Sequence, residues 1–314
     1  MTSLLEILAD CQPHSFENLT ALFACSDEEL LARIQTLQKQ GILIDTAFGE
    51  VRLIPQTPLL SAVKIQQVFP RHKIMYVPVI DSTNRLLLTN MSRLNKGDIC
   101  ITEHQTAGRG RRGRQWQSPF AAQAIFSMMW QVDAGKSVDG LSLTVGMAIR
   151  RAICKLGSDQ AKLKWPNDIL LHGRKLAGIL IETAGTENGL LNLVIGAGIN
   201  VAVLRDTNQI DQAWANLQEI LPKIDRTLLL ITVFEELIQA LTEFERHGIT
   251  PEFQQQWRQN DAFFQHEVNI IKEKQVISGI EQGIDERGHL RLQVGNEWMT
   301  FNGGEVSLRK NVRV

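Results

Sequence analysis

"AKLKWPNDILLHGRKLAGILIETAGTENGLLNLVIGAGINV", residues 161–201, decides the fold. Four apolar runs, "AKLKW", "DILLHG", "KLAGILIET" and "LLNLVIGAGINV", follow one another with only short turns between them. Connections that short admit antiparallel pairing alone, because a parallel crossover takes a dozen or more residues. His172 and Gly173, ahead of Arg174 and Lys175, have the chemistry of a tight hairpin, and Pro166, Asn167 and Asp168 that of another turn. The stretch reads as a meander with helices packed to one side, which excludes a doubly wound nucleotide fold.

Upstream, "KIMYVPVI" reads as a strand that ends at Asp81 and Ser82, N-caps for a helix beginning near Thr83. "DICITEH" and "AIFSMMWQV" are two further strands, and "SLTVGMAIRRAICKL" is a helix with an apolar face. "RTLLLITVFEELIQALTEFERHGI" is a long amphipathic helix capped by Asp225 and ended by Gly248. The region 63–266 is therefore an α+β unit with a mixed or antiparallel sheet. Residues 1–62 form a smaller module. Ser26 and Glu29 have capping-box spacing, Leu30, Ile34 and Leu37 repeat at helical intervals, and Gly41 stops the helix. "ILI" and "VRLI" follow like a small hairpin, which makes the pattern that of a winged helix-turn-helix, with Pro55 and Pro58 in a linker. From 267 to 314, short β runs punctuated by Gly279, Gly283, Gly288, Gly295, Gly303 and Gly304 suit a small β-barrel.

The 314 residues carry a net charge of −1, with 44% hydrophobic and 21% charged residues. This is the composition of an ordinary globular protein, and it excludes one that coats nucleic acid or membrane wholesale. Four scattered cysteines lack metal-ligand spacing and fit free thiols. No run is long enough to span a bilayer and the N-terminus lacks a signal-peptide pattern, so a cytoplasmic location is expected.

Anion binding must then be local, and "EHQTAGRGRRGRQWQSPF", residues 103–120, is the place for it. Its glycines let backbone amides approach a ligand, and its guanidinium groups can clamp a carboxylate or phosphate. A solvated loop, an RNA contact or a linker would fit the same composition. The G-x-x-x-x-G-K-[ST] phosphate loop is absent. In "KWPNDILLHGRKLAGILIE", Lys175 could stabilise charge on a transferring group, Gly178 leaves room for a ligand over the strand, and Asp168 could hold Mg²⁺ through water. Turn chemistry alone explains Asn167 and Asp168 equally well. "DSTN", residues 81–84, would bind small polar groups at a helix N-terminus or merely cap it, and "GAGIN", residues 196–200, suits a close-packed strand end.

Taken in order, "DSTN", "QTAGRGRRGRQW", "KWPNDILL", "GRKLAGILIE", "GAGIN" and "GGEVSLR" closely resemble the bifunctional biotin–protein ligases along nearly the whole chain. The resemblance implies a winged-helix repressor module, a class II synthetase-like ligase domain and a small SH3-like barrel. It also implies a reaction in which ATP activates biotin to biotinyl-5′-AMP. The acyl group then passes to a lysine of the biotin carboxyl carrier protein of acetyl-CoA carboxylase. By position, Ser82, Thr83 and Asn84 match the biotin-pocket segment. Gln105, Arg109, Gly110 and Arg111 match residues that contact biotin and order over the adenylate. Lys175 matches the lysine at the carboxylate and α-phosphate, with Arg111 its catalytic companion. Asn167 and Asp168 are associated with the nucleotide and Mg²⁺, Trp214 matches an aromatic over the adenine, and no metal is bound directly. A lipoate-type ligase on the related fold, or a repressor without ligase activity, are the other readings.

Two departures stand out. "AAQAIFSM" follows "SPF" where the family usually has a glycine and an asparagine before an aromatic, which places Ala121 and Gln123 at the biotin-pocket floor. Up to residue 60 there are three cations against eight anions, a net of −5, with Asp27, Glu28 and Glu29 opening the recognition helix. Acids there oppose operator DNA binding, and a structural role for the module is the alternative. If it does bind DNA, the adenylate should promote a homodimer, as the resemblance implies.

Overall fold

The computed structural model describes residues 3–39, 41–202, 213–272, 275–303 and 307–310. Gly304, Glu305 and Val306, within the quoted "GGEVSLR", lie outside them. The first module contains α1 (Leu4–Leu8), β1 (His14–Ser15), α2 (Phe16–Phe23), α3 (Asp27–Lys39), β2 (Ile44–Asp45) and β3 (Glu50–Leu53). The three strands form a small sheet in the order β1-β3-β2. The capping box at Ser26 is present: Glu29 N donates to Ser26 Oγ at 3.2 Å, and Ser26 N donates to the Glu29 carboxylate at 2.9 Å. Leu8, Leu19, Leu30, Ile34, Val51 and Leu53 fill the module's core.

The central unit runs through α4 (Ala62–Val68), β4 (Ile74–Tyr76), β5 (Val79–Ile80), α5 (Thr83–Thr89), β6 (Ile99–Thr102) and β7 (His104–Gln105). It continues through β8 (Gln123–Asp133), α6 (Leu141–Lys155), β9 (Ala161–Lys164), β10 (Asp168–Leu171), β11 (Arg174–Glu187), β12 (Leu190–Asn200), α7 (Arg226–His247) and α8 (Pro251–Asn260). Seven strands form a sheet in the order β4-β6-β8-β12-β11-β10-β9. The meander from β9 to β12 is antiparallel, and His172 and Gly173, both at positive φ, make the hairpin between β10 and β11.

Two expectations need correction, and the choice between a mixed and an antiparallel sheet is decided. "KIMYVPVI" is two strands, because Pro78 has no N–H to pair and its carbonyl instead receives the N–H groups of Glu103 and His104. β4 and β6 run parallel, joined through α5, so the sheet is mixed. The helices do not all lie on one side. Ile101, Phe126, Met128 and Ile195 face α6 and α7, whereas Cys100, Met129 and Val194 face Leu87 of α5. Successive residues of a strand point to opposite faces, so β8, covered on both, is buried along nearly its whole length.

The last unit is an antiparallel five-stranded sheet of β13 (Glu267–Lys272), β14 (Gln275–Ile284), β15 (Leu290–Val294), β16 (Glu297–Phe301) and β17 (Ser307–Lys310), in the order β16-β15-β14-β13-β17. Its Val268, Ile270, Leu290 and Leu292 belong to the same hydrophobic cluster as the central sheet. The expected linker is pinned as well: Thr57 Oγ1 donates to the Ala121 carbonyl at 2.6 Å and Leu60 N to the Glu103 carboxylate at 2.6 Å.

Candidate active site

The α5 face of the sheet holds a cleft of about 1090 Å³, counting the space at its open mouth. Strand parity puts Ile125 of β8, Gly196 and Gly198 of β12, and Gly178 and Leu180 of β11 along its floor, with Ser127 of β8 on the same face, buried beneath Thr83 and Asn84 and hydrogen-bonded to both. Lys175 would fall on the other face but for a bulge: Ile169 pairs with Ala177 and Leu170 with Lys175, so Leu176 is the extra residue that switches the alternation.

Ser82 caps α5, its Oγ accepting from Arg85 N. Thr83 N donates to Gln105 Oε1 at 2.9 Å, which locks the helix start to the strand β7 ahead of the arginine loop. Asn84 Nδ2 donates to Glu182 at 2.7 Å, and Arg109 makes an ion pair with the same carboxylate at 2.9 Å. A Cβ on Gly196 would come within 2.2 Å of Asn84 Oδ1, so the "GAGIN" glycine exists to admit this carboxamide. The neighbouring glycines serve Trp116. Gly178 and Gly198 are directly paired across strands, and a Cβ on either would meet its indole, at 3.0 and 2.5 Å.

The cations converge on one end. Lys175 Nζ lies 2.7 Å from Asp168 Oδ1 and 5.5 Å from the centre of the Trp116 ring. Lys164 Nζ approaches the other Asp168 oxygen at 3.9 Å. Arg111 donates to Asn167 Oδ1 at 2.8 Å and to the Gly303 carbonyl of the last unit. Burial pulls both Arg111 and Lys164 below their ordinary basicity, with Asp168 pulling each back up. Arg112, Arg114 and Arg309 line the same end. Asp168 is the one carboxylate among the described lining residues, and no group of three or more His, Cys, Asp or Glu suitable for a metal occurs among the described residues.

The cleft thus brings together Ser82, Thr83, Asn84, Gln105, Arg109, Gly110, Arg111, Asn167, Asp168 and Lys175, all singled out in the sequence. Trp214 is left out. Its main chain pairs with Lys175, but its side chain packs with Ala122 and Ala202. Ala121 is not at the floor either: it is fully buried in the cluster that joins the first module to Val79 and Phe120. Sequence reasoning passed over Trp116, Ser127, Lys164, Glu182 and Arg309; strand parity from Gly178 was the one signal that could have found Glu182.

Carboxamides and hydroxyls at one end of a cleft, a bank of cations at the other and an arginine loop along its side define a class: enzymes that bring an acid and a polyanion together. Comparison with known proteins gives the family. Residues 76–200 match the biotin/lipoate A/B protein ligase family, and residues 266–309 match the biotin protein ligase C-terminal domain. The bifunctional ligase/repressor BirA of Escherichia coli is 40% identical over 309 residues, covering 98% of this chain and 96% of its own. The biotin–[acetyl-CoA-carboxylase] ligase of Mycobacterium tuberculosis is 32% identical over 217 residues, 67% of this chain and 78% of its own. The structure of the Aquifex aeolicus biotin protein ligase in complex with biotin and ATP superimposes with a TM-score of 0.67 at 26% identity, covering 76% of this chain and 99% of that one. The chain belongs to the biotin protein ligase family.

Proposed function

We propose that this protein is a biotin–protein ligase that also acts as a biotin-responsive repressor. The observation that carries the ligase reading is the convergence of "DSTN", Gln105, Arg109–Arg111 and Lys175 on one cleft. A biotin carboxylate oxygen attacks the α-phosphorus of ATP, and the bond to pyrophosphate breaks. The ε-amine of a lysine on the carrier domain of acetyl-CoA carboxylase then attacks the acyl carbon; the bond to AMP breaks and the amine loses a proton. Ser82, Thr83, Asn84 and Gln105 hold the acid. Lys175 and Arg111 relieve the repulsion between carboxylate and phosphate and stabilise the charge that develops between them. The arginine loop, tied to β11 through Arg109–Glu182, shields the mixed anhydride from water. Mg²⁺ would arrive with the nucleotide's phosphates, with Asp168 in reach through water, and would supply further charge neutralisation. In this reading Trp214 would cover the adenine only by leaving its packing against Ala122 and Ala202, with its main chain already paired to Lys175.

Three units support this division of labour: residues 1–62 as a winged helix-turn-helix, 63–266 as the class II synthetase-like ligase domain, and 267–314 as an SH3-like barrel. The repressor role rests on likeness to the ligase/repressor of E. coli across almost the whole chain, and operator DNA and an adenylate-promoted homodimer come with it. The acids opening α3 would repel DNA phosphates, so operator contacts would have to fall elsewhere on the module. Exchange of labelled pyrophosphate into ATP tests the enzyme. It should require biotin, ignore lipoate and fall about 100-fold in Lys175→Ala and Arg111→Ala. Exchange with lipoate, or none with biotin, would sink the reading.

A further inference from the structure

Gln123 opens β8 opposite Asn200 of β12 and is 1% exposed. Every polar atom of its carboxamide is used. Oε1 accepts from Trp116 Nε1 at 3.0 Å, while Nε2 donates to Asn200 Oδ1 at 2.8 Å and to the Gln117 carbonyl at 3.0 Å. The amide's direction follows from its neighbours. Asn200 Nδ2 donates to the carbonyls of Lys175 and Ala215, so Asn200 turns its oxygen towards Gln123. Gln123 must then present N–H groups on that side and its oxygen to the indole, which can only donate. The main chain is held too, since Arg226 donates to the Gln123 carbonyl at 2.8 Å.

Trp116 meets the sheet through this one polar bond and through the space above Gly178 and Gly198. Its ring lies beside the Lys175 ammonium, and its main-chain N–H donates into the arginine loop at the Gly108 carbonyl. The length of residue 123 therefore fixes where the ring sits. An asparagine is shorter by one carbon–carbon bond, about 1.5 Å, and cannot reach both Asn200 and the indole unless the ring moves.

We propose that Gln123 is a positioning residue for acid binding: it sets the Trp116 indole as the wall of the pocket over the Gly178–Gly198 pair, and with it the affinity for the acid. The inference rests on the ligase reading. The test uses the full-length protein in pyrophosphate exchange, varying biotin and ATP separately. Wild-type exchange is measured first; if it fails, the ligase reading falls and this inference with it, and if it succeeds the variants decide the inference alone. Gln123→Asn, Gln123→Ala and Trp116→Phe should each raise the biotin KM about tenfold, with kcat and the ATP KM within about twofold. Trp116→Phe keeps an aromatic ring but loses the five-membered half of the indole together with its N–H, so it removes the same bond from the other side and stands in if Gln123→Ala fails to fold. The double variant Gln123→Ala/Trp116→Phe should be no worse than the worse single one, because both remove the same bond. Multiplying effects, an unchanged biotin KM, or an ATP KM that rises in step would overturn the proposal.

Discussion

Gly198 carries no side chain because an aromatic ring occupies the place. A methyl there would sit 2.5 Å from the Trp116 ring and would press it towards the cleft that it lines. Gly198→Ala should therefore depress biotin-dependent exchange by at least about tenfold while the urea midpoint moves little, since the displaced ring gains solvent rather than leaving a buried hole. A midpoint that falls as steeply as activity would place the ring in the core instead. At this scale the sequence disclosed polar chemistry and hid packing. Ser82, Thr83, Asn84, Gln105, Arg111 and Lys175 were legible because their side chains announce what they can bind. The three glycines were not, since their meaning lies in Asn84 and Trp116, which arrive from distant segments. Gln123 showed as a departure from the family pattern, but its network needs β8 and β12 side by side.

Among elements, the strongest constraint is a buried ion pair that no local pattern signals. Arg226, the first residue of α7, meets Glu103 between β6 and β7 at 2.7 Å, with both side chains at most 1% exposed. Glu103 also accepts from Leu60 N and the Tyr76 hydroxyl, and Arg226 donates to the carbonyls of Pro58 and Gln123. Burial, then the Glu103 charge, pushes the Tyr76 hydroxyl well above its ordinary range, so it stays a donor. One pair thus holds the segment after the first module, the root of the arginine loop and the start of β8. Removing either partner strands the other charge, so Arg226→Ala or Glu103→Ala should cost about 3–5 kcal/mol in urea unfolding, and the isosteric pair Glu103→Gln/Arg226→Met markedly less. Equal losses in all three would mean that packing, not charge, is at stake. The meander and α7 were readable from turns, caps and period. The parallel pairing of β4 with β6 and the side taken by α5 were not, because a crossover's side depends on which edge of the first strand receives the second, and periodicity within a strand says nothing of that.

Across the whole molecule, the three units are not beads on a string. The hydrophobic cluster continues from the central sheet into the last one, and Arg111 of the cleft reaches Gly303 across that seam. The glycine-spaced β runs from 267 were legible as a small β unit. Their fusion to the ligase core was not, because the residues that make it read as ordinary strand interiors. The seam also encloses two carboxyl groups in contact, Asp261 after α8 and Glu281 on β14. Asp261 accepts from Trp257 Nε1 at 2.6 Å, and Glu281, fully buried, accepts from Gly283 N. Burial pushes both carboxyls up. Glu281, which also faces the Asp261 charge, rises to about 9, with Arg258 pulling it back; His266 does the same for Asp261. The folded protein therefore holds a proton at Glu281 that the unfolded chain releases in the ordinary carboxylate range. Stability from this site is fully present below that range and is lost as pH rises towards about 9. Glu281→Gln keeps a neutral hydrogen-bonding group and removes the titration. Urea midpoints taken from about pH 5 to about pH 9 should fall in the wild type and fall less in the variant, which should be the more stable of the two at the alkaline end. Parallel curves would show that Glu281 is already ionised in the folded protein, and that the seam is held without the shared proton.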